Sequence, residues 1–230
     1  MAQTASPIPI VAAIAPQQQQ PPSPPTLANG DMTTTTTTTP KPTPSIQISI
    51  PDPSITTNTP LMHTLLTLIN TVYTAAESGI FSPVYQRTTL AELTTLLHAR
   101  ELALAWDHSE PGSSSSPSLA GTIRVFTLTS QLADIGMLCC APSLAGTGVG
   151  RALVEFAEGY ARRVLGAETM QLELLFPVEF VHPLKVRLQG WYERMGYAVV
   201  RVGDFGDEYP HLKPHLVTRI DYRVFEKRLV

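Results

Sequence analysis

The chain has 230 residues, 16 Lys+Arg against 19 Asp+Glu, 43% hydrophobic and 7% aromatic residues, and two cysteines. All sixteen aromatics lie in 59–230, which carries 15 basic and 17 acidic residues, so no basic footprint for nucleic acid exists there. No stretch reaches the roughly 20 apolar residues of a membrane span, and the apolar patch Ile8–Ala15 is broken by Pro9 without a preceding base, which argues against a secretory leader, so a cytoplasmic or nuclear location is expected.

Residues 1–44 combine a glutamine run (17–20), prolines at 21–25, seven threonines (33–39) and Pro40, Pro42 and Pro44. Such a segment buries too little apolar surface to offset its ordering entropy, so it is expected to be a disordered tail ahead of one folded domain, 45–230. Ile46, Ile48 and Ile50 alternate as a strand, closed by Pro51 and Pro53. Pro60 then opens a helix over about 60–77, with Leu65, Ile69, Val72 and Tyr73 on one face. Thr89, with Glu92 three residues on, predicts a capped helix at about 90–98.

Alternation in 101–106 reads as a strand, 107–117 with its serine run as a flexible turn, and 119–128 and 134–140 as two further strands of an antiparallel meander. The period then changes. From Gly150 the apolar positions Leu153, Val154, Ala157, Tyr160, Val164 and Leu165 follow helical spacing to Gly166. A strand (169–176), a helix (about 183–195) and strands at 197–203 and 216–228 complete the chain. Strand, long helix, strand is a crossover, so the two strands flanking it must be parallel and the sheet mixed.

Cys139 and Cys140 are adjacent and would point to opposite faces of a strand, which argues against a disulfide between them and for small buried residues. The six histidines are scattered, and only His211 and His215 lie four apart, with Pro214 between them; no metal is expected.

Gly146, Gly148 and Gly150 sit between a strand and the longest helix, where small residues admit a ligand to backbone amides and the helix N-terminus adds positive potential. That is a phosphate cradle. It is neither a P-loop, lacking Gly-Lys-Ser/Thr, nor the dinucleotide fingerprint, whose third glycine position is Arg151.

The run Ala145-Gly146-Thr147-Gly148-Val149-Gly150-Arg151, following Met137-Leu138-Cys139-Cys140-Ala141-Pro142, resembles the signature of the GNAT superfamily of N-acetyltransferases, with Ala145 in place of the leading Gln or Arg. Tyr192-Glu193-Arg194-Met195-Gly196-Tyr197 resembles the family's helix-to-strand motif, and the element order over about 45–230 also fits. The resemblance implies an α+β fold: a mixed, mostly antiparallel central sheet splayed in the middle and flanked by about four helices. It implies an acetyl-coenzyme A dependent N-acetyltransferase acting directly on a primary amine of a small molecule or protein. The alternative is a non-catalytic acyl-coenzyme A sensor.

By the same resemblance, Leu138, Cys139 and Cys140 would present backbone groups to the pantetheine arm. Gly146, Thr147, Gly148, Val149, Gly150 and Arg151 would hold the pyrophosphate, mainly through backbone amides. Tyr192 matches the family tyrosine near the cofactor sulfur and is the candidate acid. Glu173, on the strand beside the splay, is the candidate base, with Glu179, His182, Asp207 and Glu208 as further carboxylates and imidazole to weigh. Trp191 is expected in the core or pocket wall, and Tyr85 and Arg87 near the acceptor. The loops 78–88 and 204–215 would form the mouth, whose acidic 203–210 stretch favours a cationic acceptor.

Overall fold

A computed structural model describes residues 44–109 and 117–230. The segment 1–44, apart from Pro44, and the serine run at 113–116 lie outside the described residues. Seven strands form one sheet in the order β1-β2-β3-β4-β5-β7-β6. These are β1 (Ile46–Ser49), β2 (Leu102–Asp107), β3 (Ser118–Thr127), β4 (Leu132–Cys140), β5 (Thr169–Pro177), β6 (Ala198–Asp204) and β7 (Ile220–Arg228). The helices are α1 (Thr59–Ala76), α2 (Leu90–His98), α3 (Val149–Tyr160), α4 (Pro183–Arg194) and the single turn α5 (Phe205–Glu208). None of them is long and apolar enough to cross a membrane.

Local chemistry accounts for most boundaries. Asn58 caps α1 by accepting from the Leu61 amide at 3.1 Å, and Pro60 occupies the first turn, where a missing N–H costs nothing. Thr89 accepts from the Glu92 amide at 3.2 Å, as the capping pattern requires, while the Glu92 carboxylate turns to the Thr88 hydroxyl at 2.9 Å. The helix expected to run unbroken to Gly166 is α-helical only to Tyr160; Ala161–Leu165 form a wider π turn. Gly166, at φ 73°, then closes it, with the Ala167 N–H bonding back to the Ala161 carbonyl at 3.0 Å.

Two expectations need correction. Leu102 to Ala105 do not alternate between core and solvent: all four are buried, in a strand that lies between β1 and β3 with α3 packed on it. The last strand begins at Ile220, not 216, because Pro214 sits in a 3-10 turn (Lys213–His215) that ends before the ladder starts.

The sheet is antiparallel except where α3 crosses from β4 to β5. That parallel pairing runs only from Leu132 with Thr169 to Ile135 with Leu172, while β4 continues to Cys140 and β5 to Pro177. Beyond Ile135 and Leu172 the two strands part. β5 instead pairs with β7 along its whole length. Where β4 leaves β5 it also bulges: Thr122 opposes Cys139 but Arg124 opposes Gly136, and Met137 takes a left-handed φ of 44°. A bulge of this kind re-aims backbone groups at the place where ladder partners end.

Candidate active site

Two clefts lie on opposite sides of the parting. The first is lined by Cys140, by Leu144 to Arg151 except Thr147, and by Leu184, Arg187, Leu188, Trp191 and Arg194 of α4, with a volume of about 470 Å³. The turn that opens α3 shapes one wall. Gly146 and Gly148 have φ of 76° and 94°, and a Cβ built on Gly148 would meet nothing within 4 Å, so the residue is glycine for its backbone angle, not for lack of room. No side chain caps α3, which leaves its first amides without a capping acceptor.

These features fit coenzyme A. Unpaired amides at a helix N-terminus suit phosphate, and the apolar Leu144, Val149, Leu184, Leu188 and Trp191 suit a pantetheine arm. Along the parting, β5 offers the stretch Gly136–Cys140 no backbone partner, so Leu138, Cys139 and Cys140 lie on a free strand edge. Thr147 alone of the turn is absent from the lining; its hydroxyl donates back to the Leu144 carbonyl at 2.7 Å and tightens the loop.

Arginines surround the cleft as well. Arg151 pairs with Glu155 at 2.8 Å on the surface, and Arg187 and Arg194 join it around the cleft. Leu184, Arg187, Leu188, Trp191 and Arg194 share one face of α4 by helical spacing, a signal that was present in the sequence. The cleft thus offers a phosphate guanidinium groups as well as the amides expected to hold it in the main.

Tyr192 is fully buried on the α4 side of the sheet, against Trp191, Tyr197 and Phe225 at ring distances of 4.8, 5.8 and 6.4 Å. Its hydroxyl makes no hydrogen bond. Burial, with the Cys140 thiol nearby, pushes the phenol well above its ordinary pKa, so it stays protonated. Both cysteines are free and buried; burial raises the Cys140 thiol to about 12 and Cys139 well above its usual value, which removes them as nucleophiles.

Neighbouring residues of a strand point to opposite faces. Cys140 faces the first cleft, so Cys139 faces the side of α1, where Tyr73 is its neighbour. There lies the second cleft, about 200 Å³, lined by Tyr73, Thr74, Glu77 to Gly79, Phe81 to Pro83, Tyr85 and Arg87. Its rim joins the two loops expected to form the mouth. The Ser82 amide bonds the His215 carbonyl at 2.8 Å, and the Val217 amide bonds the Ile80 carbonyl at 3.0 Å. Phe81 stacks on Tyr85 at 4.4 Å and meets Phe205 edge-on at 6.0 Å.

The floor of this side holds groups the sequence did not single out. Lys185 of α4 is completely buried and reaches Glu77, at the end of α1, at 3.5 Å. Burial raises the Glu77 carboxyl and lowers the Lys185 ammonium, each opposed by the charge of the other. Nothing in the local sequence marks either residue, since their partnership spans 108 positions of the chain.

Glu173 is the first β5 residue past the last pair with β4 and lies on the face opposite Leu172 and Phe225, hence the α1 side. It is 7% exposed, not solvated, and accepts hydrogen bonds from Tyr222 and, at 3.2 Å, from Tyr209. It lines neither cleft. The other candidates line neither cleft. Glu179 accepts from Thr218 at 3.1 Å, and half-buried His182 precedes α4 beside Phe180. Asp207 pairs with Lys213 at 3.7 Å and Glu208 with Arg201. The acids of 203–210 are thus engaged locally and do not make the second cleft negative.

Comparison with known proteins agrees with this architecture. The model of the Acetyltransferase (GNAT) family matches residues 71–197. No curated protein matches the sequence. Among solved structures, an aminoglycoside 6'-N-acetyltransferase complexed with coenzyme A is 16% identical over 80% of this chain and 97% of its own, with a TM-score of 0.56. The yncA protein of Salmonella typhimurium, solved with acetyl-coenzyme A, is 12% identical over 80% and 94%, at 0.51. Rv2747 of Mycobacterium tuberculosis, in complex with coenzyme A, is 15% identical over 80% and 99%, at 0.50.

Proposed function

The chain belongs to the acetyltransferase (GNAT) family, and from that premise we propose that it transfers the acetyl group of acetyl-coenzyme A directly to the primary amine of a small molecule. The observation that carries this reading is the parting of β4 from β5 beyond Ile135 and Leu172, with the 470 Å³ cleft on one face and the 200 Å³ cleft on the other. A volume of that size, closed by paired loops, suits a small acceptor better than a protein chain. The cofactor, when bound, supplies the acetyl group as a thioester.

The chain's own residues do the rest. The amides opening α3, with Arg151, Arg187 and Arg194, hold the phosphates; the free edge of β4 at Leu138–Cys140 aligns the arm. Tyr192 keeps its proton at Oη and gives it to the departing sulfur. Glu173 takes the proton that the amine must lose, through the phenols of Tyr209 and Tyr222 that it holds. Both thiols are buried and held protonated, which supports direct transfer over an acetyl group carried on cysteine.

The test is release of free thiol from acetyl-coenzyme A across polyamines, amino acids, aminosugars and peptide N-termini. Amine-dependent release, reduced in Glu173→Gln, is expected. Coenzyme binding with no release for any amine would overturn the reading in favour of a sensor.

A further inference from the structure

The second cleft contains a guanidinium whose hydrogen-bond donors the fold does not use. Arg87 is 4% exposed, yet none of its three guanidinium nitrogens makes a hydrogen bond. Its nearest carboxylate, Glu92, is 3.9 Å away, beyond hydrogen-bond reach, and is not part of the cleft wall. Glu92 already accepts from the Thr88 hydroxyl. Apart from that, Arg87 has only the face of the Tyr73 ring, 5.4 Å away. Glu77 makes no ion pair with it at 4 Å or less; that carboxylate has Lys185 at 3.5 Å and feels Arg87 only at longer range. The Tyr73 hydroxyl, also in the wall, is buried without a partner.

Buried donors left unpaired are costly, and a guanidinium presents five N–H groups in a plane that a carboxylate matches with two parallel bonds. We propose that this cleft selects acceptors carrying a carboxylate as well as the amine, that is, free amino acids or small amino-carboxylates, with the carboxylate held by Arg87 and the Tyr73 hydroxyl.

Two further observations agree. Phe81, Pro83 and Tyr85 supply an apolar wall for a carbon skeleton. Tyr73, which carries Arg87 over its ring, also neighbours Cys139 on the free edge of β4, so the anchor lies on the side of the sheet that Cys139 faces.

This rests on the acetyl-transfer reading, and the experiment separates the two. Thiol release from acetyl-coenzyme A is measured with the full chain for matched sets: free amino acids, their carboxamides and their decarboxylated amines. The free acids are expected to have kcat/KM roughly 10- to 100-fold above their carboxamides. Arg87→Gln should raise KM for the acids by a similar factor and for the carboxamides by much less, with Arg87→Lys restoring only part of the loss. Equal turnover of acids and carboxamides would overturn the inference while leaving acetyl transfer intact. In parallel, the free amino acids are titrated by calorimetry into the chain saturated with coenzyme A. Arg87-dependent uptake without thiol release would keep the carboxylate site and discard acetyl transfer to these amines; neither uptake nor release would overturn the site. Should Arg87→Gln fail to fold by circular dichroism, the comparison of acids with carboxamides on the native chain still decides.

Discussion

Tyr192→Phe separates the chemistry of the site from its packing. The ring is locked among Trp191, Tyr197 and Phe225, and phenylalanine keeps those contacts. The lost atom is a fully buried hydroxyl with no hydrogen-bond partner. Burying such a group unpaired costs about 1–3 kcal/mol, so its removal should leave stability unchanged or raise it. For a domain of this size each kcal/mol is about 2–4 °C in Tm. Catalysis should move the other way. Burial keeps the phenol protonated at any working pH in the free chain, so Oη enters the reaction carrying the proton it is proposed to give. Loss of one positioned acid typically costs about 10²–10⁴ in rate, or about 3–5 kcal/mol of barrier. Single-turnover thiol release with preformed cofactor complex isolates that step, and thermal melting reports the packing. An unchanged single-turnover rate would refute the role of Tyr192 as acid. A clear fall in Tm would refute the premise that its hydroxyl bonds to nothing in the fold.

Two further outcomes follow from the electrostatics. Removing both exposed guanidinium groups with Arg187→Ala and Arg194→Ala should weaken coenzyme A binding about 2- to 10-fold at low ionic strength and little at high ionic strength, where exposed charges are screened. Calorimetry at both salt levels checks this; a native affinity that ignores salt would contradict it. Asp134 is buried, with Oδ2 accepting from Gln171 at 2.9 Å and Oδ1 unpartnered. Burial, then the nearby Glu173, holds its carboxyl well above the usual range. The folded state therefore binds this proton more tightly than the unfolded state. The stability it contributes is present below about pH 4 and is lost as pH rises through the raised folded value. Asp134→Asn, which keeps the acceptor and removes the charge, should be more stable than the native chain at neutral pH, with the gap closing toward pH 4. Urea unfolding across that range measures it, and parallel profiles would count against the assignment.

Features that depend on near neighbours were legible in the sequence. The Asn58–Pro60 and Thr89–Glu92 helix starts, the glycine turn before α3 and the parallel crossover are each written within a few residues, because caps, left-handed angles and amphipathic periods are local physics. The Tyr192–Tyr197 motif and the Gly146–Arg151 run carried the resemblance for the same reason. Helix spacing on α4 also held the arginine face, although composition alone drew attention away from it.

Tertiary structure decided the rest. Glu173 looked like any strand glutamate until Tyr209 and Tyr222, brought in by a distant loop and the last strand, turned it inward. Glu77 and Lys185 are unremarkable singly and become a buried ion pair only because α4 reaches across to α1. The bulge at Met137 arises where two ladders run out of register, which no local pattern announces. Arg87 was visible as a loop arginine. That it is buried, facing a cleft and without an acceptor is a property of the assembled walls, since burial and unmet hydrogen bonds exist only once distant segments have closed around a side chain.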